Sequence, residues 1–126
     1  PHYDATEDKG AILASFSTGP AIKNTPFNFI SEAFASALAV IALGTFSTIE
    51  TGLGPFMVGI LVWAIGLGLG GTTGYAINPA RDLGPRIMHA ILPIPNKGDS
   101  GWDYAWIPVL GPAAGAVLGA FILTLN

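Results

Sequence analysis

No Asp, Glu, Lys or Arg occurs anywhere within 33–49, 51–80 or 104–126. Charge-free blocks of this length severely restrict the fold. In hydrocarbon a helix satisfies its own backbone polar groups, whereas a charge there is costly and an open sheet edge is not tolerated. The remaining charges sit in connectors and bring the charged share to only 10%, against about 25% in an average soluble domain. The pattern predicts an all-α membrane protein. The formal net charge of −3 carries little information, and no basic patch suggests a nucleic-acid partner. The chain has no Cys, which excludes disulfides and thiolate metal sites and leaves the redox compartment unread.

The segments follow from hydropathy and from the turn residues. Residues 1–26 are polar and broken by Gly10, Gly19, Pro20 and Pro26, which reads as a connecting loop with about one helical turn near 11–16. A first span is expected over 27–49, where its 23 residues reach about 34 Å against a hydrocarbon core of about 30 Å. A tight turn over 50–54 leads to Pro55, a favoured first helical residue, and to a second span over 55–71. Residues 72–77 read as extended backbone. A short helix from Asn78 to about Leu92 then stops at Pro93 and Pro95. At about 22 Å this helix is too short to cross a membrane, so 72–92 reads as a re-entrant loop and half-helix. A polar loop follows. Trp102, Tyr104 and Trp106 cluster like an interfacial aromatic belt at the start of a third span over 104–126. Gly66 and Gly70 form one GxxxG pair, and Gly111, Gly115 and Gly119 form a double one, the spacing that lets helix backbones approach closely. Lys23, Lys97, Arg81 and Arg86 fall on one side and Glu50 on the other, but two of the four belong to the re-entrant element, so charge fixes no orientation. The chain opens Pro1-His2-Tyr3-Asp4 without an initiator Met or a signal-peptide pattern, and it is expected to be a piece of something longer.

The stretch Gly74-Tyr75-Ala76-Ile77-Asn78-Pro79-Ala80-Arg81-Asp82 carries the most chemistry. Asn78 is an N-cap residue, Pro79 fits the first helical position, and Arg81 and Asp82 fall in the first turn. A capped helix start bearing charge at membrane depth is tolerated only where it lines a cavity or is buried in protein. That points to a pore.

Asn-Pro-Ala opening a half-helix after a Gly-rich apolar span resembles the second signature loop of the aquaporin family, and the resemblance runs from about Phe16 onward. It implies that the chain is the second inverted repeat of an aquaporin-like bundle: three transmembrane helices plus one re-entrant half-helix. The companion N-terminal repeat would be missing, and the assembly would be a homotetramer in the plasma membrane. Four positions resemble the glycerol-conducting branch. Asp82 follows the arginine, Arg86 stands where water channels carry alanine, and Pro108 with Val109 replaces an aromatic pair. Gly66, twelve residues before Asn78, stands where water channels place a constricting histidine. Tyr75 departs slightly from the phenylalanine common in glycerol channels.

The resemblance implies roles. Arg81, Tyr75 and Gly66 would form a selectivity filter, with Arg81 donating to a polyol or water and repelling cations. A structural ion pair with Asp82, or a carbonyl clamp, is the other role open to Arg81. Asn78 would donate to the passing substrate as well as cap its helix, and Pro79 and Ala80 would pack against the missing half-helix. Gly74, Tyr75 and Ala76 would offer carbonyls as acceptors. Glu32, with Ser36 four residues on, would buttress the re-entrant loop by accepting its backbone N–H groups, and Asp82 would brace the loop near Arg81. Gly111, Gly115 and Gly119 are expected to serve packing alone, and His2 and His89 receive no role. There is no nucleophile–base pair, metal cluster or phosphate loop, so neither an enzyme nor a cofactor is expected. The expected function is a passive channel for glycerol and other small neutral solutes, with water also permeant and lipid around it. A mainly water-selective pore and a non-conducting membrane packing fragment are the alternatives.

Overall fold

The computed structural model describes residues 2–47 and 52–125 and forms five helices among them, with no strand. They are α1 (Lys9–Ala14), α2 (Thr25–Phe46), α3 (Gly54–Thr73), α4 (Pro79–Ile91) and α5 (Ile107–Leu123). The expected end of the first span at 48–49, the first residues of the turn at 50–51 and the last residue of the third span lie outside the described residues.

Local chemistry sets the helix bounds. Asp8 caps α1 by accepting from Gly10 N at 2.8 Å, so this helix begins two residues before the turn expected at 11–16. Asn24 caps α2 and Pro26 sits in its first turn, which moves its start ahead of residue 27. The 22 residues of α2 and the 20 of α3 give about 33 Å and 30 Å, and both helices are long and apolar enough to cross a membrane. The α5 helix is shorter than the span expected over 104–126. Tyr104, Ala105 and Trp106 form turns, Pro108 falls in the first helical turn, and 17 helical residues remain, or about 25 Å.

The α2 helix packs mainly on α5 and secondarily on α3, and α4 rests on α5. Glycine makes the α2–α5 approach possible. A Cβ at Gly115 would stand 2.1 Å from the Ala33 carbonyl oxygen, and one at Gly119 would stand 2.7 Å from that of Ala37. The two backbones therefore touch directly, as small-residue stripes permit in lipid.

Polarity is inverted relative to a water-soluble domain. Phe27, Phe34, Phe56, Trp63, Leu67, Val117 and Phe121 are exposed, while Glu32, Asp82, Arg86, His89, Ser36 and Thr73 are buried. Apolar surfaces facing outward and paired charges facing inward fit a lipid solvent.

Candidate functional site

The segment joining α3 to α4 is not the extended strand expected over 72–77. Thr72 and Thr73 complete α3, and Gly74 closes it in the left-handed region at φ +82°. Tyr75 and Ile77 then also adopt positive φ, 42° and 44°. Such angles are uncommon for residues with a Cβ, least expected of all for β-branched Ile77; they cost about 1–3 kcal/mol each and persist only where the surroundings over-determine them.

Glu32 supplies that determination. It is fully buried on α2. Its Oε1 accepts from Thr73 Oγ1 at 2.6 Å and from Ala76 N at 2.9 Å, while Oε2 accepts from Ile77 N at 2.8 Å. Two consecutive backbone N–H groups are thus turned inward onto one carboxylate. Among the described residues no hydrogen bond ends on the carbonyl oxygens of Gly74, Tyr75 or Ala76. Ser36, four residues along, is buried, and its hydroxyl has no hydrogen-bond partner among the described residues.

Asn78 is extended at φ −151°, and its Oδ1 accepts from Ala80 N at 2.9 Å, capping α4 with Pro79 in the first turn. The exposed amide end of Asn78 and the positive end of the α4 dipole, about half an elementary charge, lie together here.

Gly66, Tyr75 and Arg81 meet at this loop. The Tyr75 ring lies against α3, where a Cβ on Gly66 would stand 3.2 Å from its Cζ. The Arg81 guanidinium carbon stands over the ring, 5.5 Å from the centroid, within cation–π range. Arg81 itself is exposed.

Asp82 does not pair with Arg81. On a helix, residues four apart share a face and neighbours do not, so its partner is Arg86. The Arg86 Nε donates to Asp82 Oδ1 at 2.8 Å and its Nη2 donates to Oδ2 at 2.9 Å. The remaining Arg86 donors reach the carbonyls of Ser100 (2.7 Å), Gly101 (3.1 Å) and Thr18 (2.7 Å). Thr18 completes the cluster by donating its N–H and hydroxyl to Asp82 Oδ2 at 2.7 and 2.6 Å. Asp82 therefore braces the first loop and Arg86, one turn away from the position expected for it. All five guanidinium N–H groups are used, which is the condition under which a buried ion pair is tolerated.

Sequence reasoning missed Thr18, Ser100 and the inward role of Arg86. The Asp82/Arg86 spacing was the one available signal, because Thr18 lies 64 positions from its partner. Two further contacts tie the ends together. His89, left without a role, is buried on α4 with its Nδ1 2.8 Å from Ser100 Oγ. Lys97 Nζ donates to the carbonyls of His89, Ala90 and Leu92, closing the C-terminus of α4. Outside the bundle, Lys23 pairs with Asp103, and its hydrogen bond and charge hold the Asp103 carboxyl below the usual carboxylate range.

Residues 29–123 match the family described as Major intrinsic protein. Over 99% of its length the chain is 61% identical to the "Glycerol uptake facilitator protein" of Streptococcus pneumoniae serotype 4, covering 54% of that relative. It is 56% identical to the protein of the same name from Bacillus subtilis (94% of this chain, 44% of the relative). It is 47% identical to the "D/L-lactic acid transporter" of Lactiplantibacillus plantarum (97% and 53%). The chain thus spans about half the length of the relatives it matches.

Proposed function

The chain belongs to the major intrinsic protein family, and on that premise we propose that it supplies one half of a passive plasma-membrane channel for glycerol and similar small neutral solutes, with water also permeant. It would be the second of two inverted repeats, with α2, α3 and α5 spanning the bilayer and α4 re-entering it, in a homotetramer of complete channels. The family is one of membrane channels and not of enzymes.

The observation that carries the reading is the convergence at the α3–α4 loop. Carbonyls that take no hydrogen bond among the described residues, the capped start of α4 at Asn78, and an arginine standing over an aromatic ring all meet there. A polyol needs acceptors along one side and an apolar wall on the other. The carbonyls of Gly74, Tyr75 and Ala76 supply the first, and the Tyr75 ring supplies the second. Arg81 and Asn78 donate to the hydroxyl oxygens, and the arginine charge with the α4 dipole disfavours cations and protons. Gly66 leaves the space that the Tyr75 ring occupies, and Pro79 and Ala80 would meet the other repeat. Glu32 holds the Tyr75 and Ala76 carbonyls outward by binding the N–H groups of Ala76 and Ile77 on the opposite side of the same peptides, and Asp82 anchors α4 through Arg86 and Thr18. The names of the relatives support glycerol over a purely water-selective pore.

The test is stopped-flow light scattering on liposomes carrying the full-length channel. Swelling in a glycerol gradient measures solute entry, and shrinkage in an impermeant osmolyte measures water flow. Fast glycerol entry that Gly66→His reduces more than it reduces water flow is the expected result. Glycerol entry at the empty-liposome rate overturns the reading, and entry of lactic acid alone would move the chain toward its lactic acid-transporting relative.

A further inference from the structure

The Gly66/Gly70 pair has the spacing of a helix-packing motif, yet what it receives is the side chain of Tyr75. The ring lies lengthwise along one turn of α3. Its far end rests on Gly66, where a Cβ would stand 3.2 Å from Cζ. Its near end rests on Gly70, where a Cβ would stand 2.7 Å from Cδ1 and 3.2 Å from Cε1. The tighter contact is therefore at Gly70, four residues past the position singled out by resemblance.

We infer that Gly70 is a specificity-determining positioning residue: it lets the Tyr75 ring sink against α3, and the depth of that seat sets the aperture between the ring and Arg81. The inference rests on the polyol-channel reading. Three observations give it direction. The backbone beneath the ring cannot retreat, because Gly74 and Tyr75 are fixed at positive φ and the next two N–H groups are tied to Glu32. Helix α3 blocks movement on one side, and its own backbone cannot yield cheaply. The guanidinium of Arg81 stands over the ring, 5.5 Å from its centroid. A methyl group at Gly70 therefore lifts the ring off α3 and changes its spacing from Arg81, which in this inference closes the gap between them. That narrows the passage for a three-carbon polyol while a single water still passes. The same substitution at Gly66 meets only the far end of the ring at a longer distance and acts more weakly.

The experiment uses the full-length channel in liposomes, comparing the parent with Gly70→Ala, Gly66→Ala, Tyr75→Ala and the double variant Gly70→Ala/Tyr75→Ala. Glycerol and water permeabilities are measured for each. In Gly70→Ala the glycerol-to-water permeability ratio is expected to fall about tenfold, equivalent to about 1.4 kcal/mol of added barrier for glycerol alone, with a smaller fall in Gly66→Ala. In the Tyr75→Ala background the Gly70 substitution is expected to leave the ratio unchanged, because there is no ring to displace. An unchanged ratio in Gly70→Ala overturns the inference. So does an equal fall in the Tyr75→Ala background, or a joint loss of both permeabilities, each of which would mean that Gly70 serves α3 and not the ring. A parent channel without glycerol flux is a separate outcome that overturns the polyol reading itself.

Discussion

Replacing Glu32 by Gln removes one oxygen and no volume, so its consequence can be worked from three hydrogen bonds. The surviving amide oxygen can take the place of Oε1 and keep the donors of Thr73 and Ala76. The new NH2 then faces Ile77 N, which loses an acceptor 2.8 Å away and meets another donor. Hydrogen bonds to a charged group contribute about 1.5–3 kcal/mol, and an unmet buried donor costs about 1–3 kcal/mol. Release of Ile77 from its left-handed conformation returns part of that, at most about 1–3 kcal/mol. The loss outweighs the relief, and the net is about 2 kcal/mol. For Glu32→Ala all three donors are orphaned, and the loss becomes about 2–6 kcal/mol at about 1–3 kcal/mol per donor less the same relief. The assay is thermal unfolding of the full-length channel in detergent. For a chain of this size class 2 kcal/mol lowers the midpoint by roughly 4–8 °C. Glycerol flux should fall as well, because the carbonyls beside Ile77 lose their orientation. A Gln variant with unchanged midpoint and flux would refute the assignment of Glu32 as the group that holds this loop.

Three further outcomes are expected. Arg86→Met strands the Asp82 carboxylate and three carbonyls inside the bundle and should cost about 3–5 kcal/mol, read as a lower unfolding midpoint. An unchanged midpoint would mean that the cluster contributes nothing to folding. Gly115→Ala drives a methyl to 2.1 Å from the Ala33 carbonyl, so α2 and α5 must part; the cost should be about 1–3 kcal/mol or more, and larger than for Gly111→Ala, whose nearest atom lies at 2.9 Å. The Lys23–Asp103 pair gives a pH signature. Because the folded carboxyl lies below its ordinary value of 3.8, its stabilising effect is present above pH 3.8 and is lost as pH falls through the lowered pKa. The stability difference between the parent and Asp103→Asn should therefore vanish at the acid end and persist at neutral pH, and a difference independent of pH would contradict the pairing.

Where chemistry is local, the sequence is readable. The long apolar helices announce themselves through missing charge, and Asn78-Pro79 announces a helix start because capping involves neighbours only. The start of α5 was less legible. Tyr104 and Trp106 suit a membrane interface equally well inside or ahead of a helix, and Trp106 provides no side-chain cap. The left-handed loop runs against the preferences of Tyr and Ile, and the force that imposes it comes from Glu32, more than forty positions away. A buttressing glutamate could be inferred by resemblance, but not the backbone angles it sustains. The Thr18–Asp82–Arg86 cluster was invisible for the same reason, and the seat of Tyr75 on Gly70 was hidden behind a spacing that usually signals helix packing.

The claim that the α3–α4 loop lines a solute path can be tested by chemical block. The chain contains no Cys, so a full-length channel freed of any other Cys can carry a single one at position 75 or, as a control, at outward-facing Phe121, which is 59% exposed. Glycerol flux is then measured before and after a bulky thiol reagent. Block in Tyr75→Cys, relieved by reductant and absent in Phe121→Cys, is the expected result; labelling at position 75 that leaves glycerol flux untouched would contradict a solute path along this loop.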